Sequence, residues 1–230
     1  MDDSRRRFFK IAGAGVAGLP AAGVAAPARR SAEKPGANEN LIFFSRAEAQ
    51  FVSAVADTFI PADEFSPSGS ALGIVVFIDR QLAGAYGVNG RKYFAGPFLP
   101  GTPEQGNQSP LAPADLYRLA IPEVDAWCAA NRGKPFAELA AVDRNSVLHS
   151  MRENRMQLPN APARQFLSLI YNDCVEGFFA DPIYGGNRGK ASWKMLGYHG
   201  PFRNYAQDIA KYRFKRYVAA PRGIADLTQT

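Results

Sequence analysis

Apolar positions spaced three and four residues apart recur from about residue 46 onward and predict a succession of helices. Phe51, Val52, Val55 and Phe59 share one face that ends at Pro61, and Ser45-Arg46-Ala47-Glu48 ahead of them has capping-box spacing. In that motif the serine oxygen and the glutamate carboxylate each accept an amide left over at the helix start. After a loop from Phe65 to Gly69, a second helix is expected over Leu72 to Tyr86. Ile74, Phe77, Ile78, Leu82 and Tyr86 are its apolar positions, with Asp79, Arg80 and Gln81 interrupting them. The β-branched trio Ile74-Val75-Val76 suits a strand, but the length of the pattern favours a helix.

A third helix is expected from Asp115 to Asn131, carrying Leu116, Leu119, Trp127 and Cys128, with Pro122 kinking or splitting it and Gly133 ending it. Val142 to Arg152 reads as a shorter helix. Ala161 to Ala180 is the clearest, with Phe166, Leu169, Ile170 and Cys174 along one side and Pro162 suited to its first turn. Alternating strand patterns, internal repeats and heptads are absent from the sequence. The expected fold class is therefore mainly α, a single irregular helical domain. Its longest connection, Gly87 to Pro113, is rich in Gly and Pro and holds Tyr93, Phe94 and Phe98, which marks it as an ordered excursion that packs on something.

The N-terminus follows a different logic. Ser4-Arg5-Arg6-Arg7-Phe8-Phe9-Lys10 matches the twin-arginine export pattern, with Ser4, Arg5, Arg6, Phe8, Phe9 and Lys10 as its elements. Ile11 to Val24 is weakly apolar and short of the about 20 residues of a spanning helix, and small residues with a peptidase exit between Ala25 and Ala28 follow. The organisation expected is a twin-arginine (Tat) signal peptide over 1–26, a flexible linker over 27–40, a helical domain over 41–210 and a basic, aromatic tail over 211–230. This route carries folded cargo and places the protein in the periplasm, on the outer face of the inner membrane.

Composition narrows the chemistry. Of 27 basic and 21 acidic residues the first 26 hold four and two, which leaves a mildly basic remainder near +4. No basic module points to nucleic acid. Gly13-Ala14-Gly15-Val16-Ala17-Gly18 spells a dinucleotide fingerprint, but it follows an arginine cluster instead of a strand and is rejected as a cofactor site. Two cysteines, Cys128 and Cys174, either form one disulfide in an oxidising compartment or stand as two buried thiols. With His149 and His199 they are too few for an ordinary iron–sulfur cluster or a His-rich metal site, so no cofactor or metal is assigned to this chain.

The most distinctive text is Glu176-Gly177-Phe178-Phe179-Ala180-Asp181-Pro182-Ile183-Tyr184-Gly185-Gly186-Asn187-Arg188, followed by Trp193-Lys194-Met195-Leu196-Gly197-Tyr198. With Ile60-Pro61-Ala62-Asp63, Phe77-Ile78-Asp79-Arg80-Gln81-Leu82 and Gly96-Pro97-Phe98, it resembles the small subunit, called subunit 3 or gamma, of bacterial membrane-bound gluconate 2-dehydrogenase. The resemblance runs from about residue 43 to about 205, in addition to the leader. It implies a heterotrimer oxidising D-gluconate to 2-dehydro-D-gluconate, with FAD on a large subunit and haem c on a multihaem cytochrome subunit. In that setting this chain has no catalytic residue. It assists assembly and export of a leaderless large subunit through the Tat translocase, and meets the membrane through the complex. A free-standing exported sugar-acid enzyme or binding protein is the alternative.

Asp173, Glu176 and Asp181 bring three carboxylates near Tyr184 and Arg188, and Asp173 and Glu176 share a helical face. Structural pairing is favoured over an interface or an acid–base role, because Gly185-Gly186-Asn187 has turn chemistry. His199 reads as a loop residue, and His149, beside Ser146 and Ser150, lacks a third orienting group. Phe178, Phe179 and Trp193 read as core or interface anchors. Lys211-Tyr212-Arg213-Phe214-Lys215-Arg216-Tyr217 alternates cations with aromatics: a solvated helix end, a lipid contact or a strap on a partner. The strap, with Tyr212, Arg213, Phe214, Arg216 and Tyr217 at the interface, is favoured, since Tyr and Arg are preferred anchors.

Overall fold

The computed structural model describes residues 40–93, 95–99, 101–105, 108–201 and 204–227, and among these the regular structure is entirely helical. The export-signal residues Ser4, Arg5, Arg6, Phe8, Phe9 and Lys10 lie outside the described residues, as do almost all of the linker and Phe94. Among the described residues eight α-helices follow one another: α1 (Arg46–Phe59), α2 (Ile74–Ala83), α3 (Pro113–Arg132), α4 (Ala141–Arg152), α5 (Ala163–Phe179), α6 (Ala191–Leu196), α7 (Ala206–Lys211) and α8 (Ile224–Leu227). Single 3₁₀ turns at Pro103–Gln105, Phe136–Glu138, Pro182–Tyr184 and Arg188–Lys190 tighten the connections.

The capping box of α1 forms: Ser45 N donates to Glu48 Oε2 at 2.7 Å, and Glu48 N donates to Ser45 Oγ at 3.3 Å. Arg118 of α3 then pairs with the same Glu48 carboxylate and lies 4.0 Å from the centre of the Phe43 ring. These contacts clamp the start of the domain to α3. Asp79 does the same from α2. Its buried carboxylate, the polar interruption in that helix's apolar pattern, accepts the amides of Ile42, Phe43 and Phe44 at 2.8, 2.9 and 2.8 Å. A carboxylate satisfied three times by backbone is how a charge becomes tolerable in a core.

Helix α5 is the central element, packed against α1, α2, α3, α4 and α6. Phe166 on it meets Tyr117 edge-on at 5.3 Å and Phe51 at 6.3 Å, and Phe51 meets Phe136 at 5.0 Å. All four rings are fully buried, and each such side chain contributes on the order of 2 kcal/mol of apolar transfer.

Three expectations need correction. Helix α2 is shorter than Leu72 to Tyr86, because Gly73 takes a left-handed φ of 80° at its start and Gly84 leaves helical geometry at its end. Helix α3 is not split at Pro122. Leu116, Tyr117, Ala120, Ile121, Val124 and Cys128 are buried along its length, and that packing outweighs the hydrogen bond the proline cannot donate. Pro162 is the N-cap of α5, with φ −74° and ψ 99°, instead of a first-turn residue. Of the two states expected for the cysteines, the structure has the unbridged one. Cys128 and Cys174 are separate buried thiols. Glu123 of α3 accepts amides just ahead of α5, whereas Tyr117, earlier in α3, reaches Asp173 near the end of α5, so the two helices run antiparallel. Cys174 therefore lies near Tyr117, whereas Cys128 is three turns from Tyr117 along α3, a rise of about 16 Å at 1.5 Å per residue. A disulfide requires Cα atoms within about 7 Å.

Candidate functional site

The segment that ends α5 and leads into α6 is held by side-chain bonds and by glycines that permit close approach. Asp181 caps the first 3₁₀ turn, accepting Ile183 N at 3.0 Å through Oδ1, and accepts Ile224 N at 2.8 Å through Oδ2. Asn187 is buried with a left-handed φ of 46°; its Nδ2 donates to Ala180 O at 3.0 Å and its Oδ1 accepts Ser192 N at 3.1 Å. Trp193 Nε1 donates to Phe179 O at 2.9 Å, tying α6 to the end of α5. A Cβ at Gly186 would stand 2.2 Å from Gly177 O, and one at Gly177 would stand 2.9 Å from the Phe77 ring. The turn therefore meets α5 backbone to backbone, and α5 meets the Phe77 ring of α2 at Gly177, which explains the glycines of this stretch.

The three carboxylates separate. Asp173 turns into the core, where Tyr86 Oη donates to Oδ1 at 2.5 Å and Tyr117 Oη donates to Oδ2 at 2.7 Å. Burial pushes this carboxyl up to about 6 against the pull of both hydroxyls, with Glu176 adding to the rise and Lys92 opposing it. Burial also raises the Tyr86 and Tyr117 hydroxyls far above their ordinary range, with Asp173 reinforcing it, so both remain donors. Asp181 is spent on the turn, and Glu176 is exposed. Arg188 lies against Gly73, where a Cβ would meet its Nε at 2.6 Å, and its own amide donates to Leu72 O at 3.1 Å. The grouping serves architecture.

What this architecture presents outward is apolar. Tyr171, Val175 and Phe179, spaced by four residues on α5, are between 36% and 45% exposed. Around the end of the helix Ile183, Tyr184, Met195, Leu196 and Tyr198 add further exposed apolar area, between 37% and 61% each. Large apolar side chains left exposed in such number on one helix and the segment that follows it mark a candidate contact site. The stripe was missed in the sequence, although a signal exists: α5 carries apolar residues on the Phe166–Ile170–Cys174 face and again on the Tyr171–Val175–Phe179 face.

The C-terminal residues divide. Tyr217 packs at 4.7 Å on His199 and 4.8 Å on Tyr212, and His199 is the loop residue its sequence suggests. Phe214, Arg213 and Arg216 point to solvent, Phe214 being 96% exposed at a φ of 61°. Arg222 N donates to His199 O at 3.0 Å and Lys190 pairs with Asp226, so the chain returns to the domain. Ser150 Oγ donates to Ser146 O at 3.0 Å and Ser146 Oγ accepts from Arg132 at 3.2 Å, leaving no Ser–His pairing at exposed His149. Phe178 and Trp193 are core, whereas Phe179 is surface.

Among the described residues no group of three His, Cys, Asp or Glu side chains is set to hold a metal ion, and no helix is long and apolar enough to cross a membrane. Neither a curated relative nor a solved structure shows significant similarity to the chain. The family model described as gluconate 2-dehydrogenase subunit 3 matches residues 46–200, which spans all the elements from α1 to α6 and the exposed apolar residues from Tyr171 to Tyr198. The chain belongs to the gluconate 2-dehydrogenase subunit 3 family.

Proposed function

We propose that this chain is the non-catalytic small subunit of a heterotrimeric, periplasm-facing dehydrogenase that oxidises D-gluconate to 2-dehydro-D-gluconate. In this reading an FAD-containing large subunit carries out the oxidation and a multihaem cytochrome c subunit takes the electrons. The observation that carries it is the exposed apolar surface on the stretch between Glu176 and Tyr198, where the family's characteristic text lies. Phe179, Ile183 and Tyr184 form the anchor for the large subunit, and the outward side of the tail, Arg213, Phe214 and Arg216, straps onto the same partner while Tyr212 and Tyr217 hold the strap's base. Aromatic anchors surrounded by arginine are the usual make-up of such contacts.

The leader adds export to this docking role. Arg5 and Arg6 hand the folded pair to the Tat translocase, so a partner without its own signal travels with this chain. Co-expression with an FAD-containing gluconate dehydrogenase large subunit tests both halves. The wild-type chain recovers a yellow complex from the periplasm. Val175→Asp with Phe179→Asp leaves the chain folded and lowers recovery at least about tenfold, as loss of central interface anchors does. Arg5→Lys with Arg6→Lys strands both subunits in the cytoplasm. A chain that binds flavin and turns over gluconate by itself, or an unchanged complex from the double aspartate variant, overturns the reading.

A further inference from the structure

The end of α2 and the turn after it form an open pocket of about 280 Å³ whose lining includes Arg80, Gln81, Tyr86, Asn89, Arg91 and Lys92, the three cations being exposed. Three of these are cations, no acid lines the space, and among the described residues no ion pair engages Arg80, Arg91 or Lys92. Cations gathered around one concave space repel each other, and an anion between them removes that cost.

The walls are fixed by backbone. Gly87 has no room for a side chain, since a Cβ would stand 2.0 Å from Leu82 O, and Asn89 holds a left-handed φ of 54°. Gly87 N donates to Gly84 O at 3.1 Å, Asn89 N to Tyr86 O at 3.1 Å and Lys92 N to Asn89 O at 2.9 Å, winding the segment back over the helix end. Ala114 N, in α3, donates to Gly87 O at 2.9 Å. Arg80 is braced on the other side, where a Cβ at Gly185 would come within 3.3 Å of its Nη1. Tyr86 is fixed by its hydroxyl on Asp173. Two carboxylates act on Tyr86 electrostatically, Asp173 and Glu176. Neither is part of the lining.

We propose that this pocket binds a small oxyanion, a carboxylate or a phosphate, with Arg80, Arg91 and Lys92 as its charge partners and the side-chain carboxamides of Gln81 and Asn89 as additional hydrogen-bonding groups. The planar arginine forks suit two-oxygen recognition of either anion, and the volume lies just under the range that drug-sized ligands occupy. The site does not depend on the docking reading.

Isothermal titration of the full chain with sodium phosphate, sodium D-gluconate, uncharged D-glucose and sodium chloride at matched ionic strength tests it. Saturable one-site binding of phosphate alone assigns a phosphate source; binding of gluconate alone assigns a sugar acid; binding of both supports a general oxyanion site. The variant Arg80→Gln/Arg91→Gln/Lys92→Gln, with its fold checked by circular dichroism, loses at least about tenfold in affinity. The variant Lys134→Gln/Arg152→Gln/Lys194→Gln, which removes the same charge from exposed positions outside the lining, retains it. No binding of either anion, equal heats from glucose or chloride, or an equal loss in both triple variants overturns the proposal.

Discussion

Replacing Asp173 by Asn removes one titrating group from the centre of the fold, and its consequence has a definite sign. The carboxyl is held at about 6 in the folded protein and near 3.9 in an unfolded chain. Between those values the folded state carries a proton that the unfolded state has released, so this group's contribution is full below about pH 4 and is lost as pH rises through about 6. The difference corresponds to about 3 kcal/mol in total, of which about 2 kcal/mol falls between pH 4.5 and 7.5. Urea denaturation of wild type and Asp173→Asn over that interval reads it directly. The wild-type midpoint falls relative to the variant by about 1 M urea, for a slope of about 2 kcal/mol per molar. Asp125, which burial also raises, and Glu48 and Asp226, which their partners lower, are common to both proteins and cancel in the difference. Tyr117→Phe withdraws one donor and moves the wild-type slope to higher pH. A difference that is flat in pH, or that grows as pH rises, refutes the assignment of Asp173 as a carboxyl raised by burial.

Asp79→Ala orphans three amides at once, at about 1 kcal/mol or more each; chemical denaturation reads a loss of at least about 3 kcal/mol, and limited proteolysis cuts newly near residues 42–44. Gly186→Ala drives a methyl group into the Gly177 carbonyl and costs about 1–3 kcal/mol; tryptophan fluorescence reports the shift, since Trp193 is tied to the end of the same helix. Burial raises both thiols, Cys128 to about 12, so a thiol reagent labels neither in the native protein and both after denaturation without reductant. A denatured chain that shows free thiols only after reduction contradicts the antiparallel placement of α3 and α5.

Most helices were legible because a single face of each is buried against α5, and a buried face leaves a periodic trace in the sequence. The α1 cap was legible to the residue, since capping is local chemistry between Ser45 and Glu48. Helix ends were less so. Leu72 and Tyr86 continue the apolar pattern of α2, yet both lie outside it, because burial does not require helical geometry and glycines decide where the helix stops. The short helices α6, α7 and α8 have too few turns to show a period.

The candidate site was half legible. The unusual text from Glu176 to Tyr198 announced that something is held there, but the role of each residue depends on partners distant in the chain. Asp173 and Glu176 lie one turn apart; the former meets hydroxyls 87 and 56 residues away, while the latter stays at the surface. Arg91 and Lys92 drew no notice in a loop, and became part of a pocket only when the turn folded back over α2.

By itself the sequence determined the helical class and the family, because periodicity and characteristic text are properties of neighbouring residues. Tertiary structure decided which apolar residues are core and which remain outside, that the two cysteines stand as separate thiols, and that three cations share one pocket. Those outcomes depend on how α2, α3 and α5 are arranged around one another. Contacts between residues tens of positions apart set that arrangement, and no local pattern encodes it.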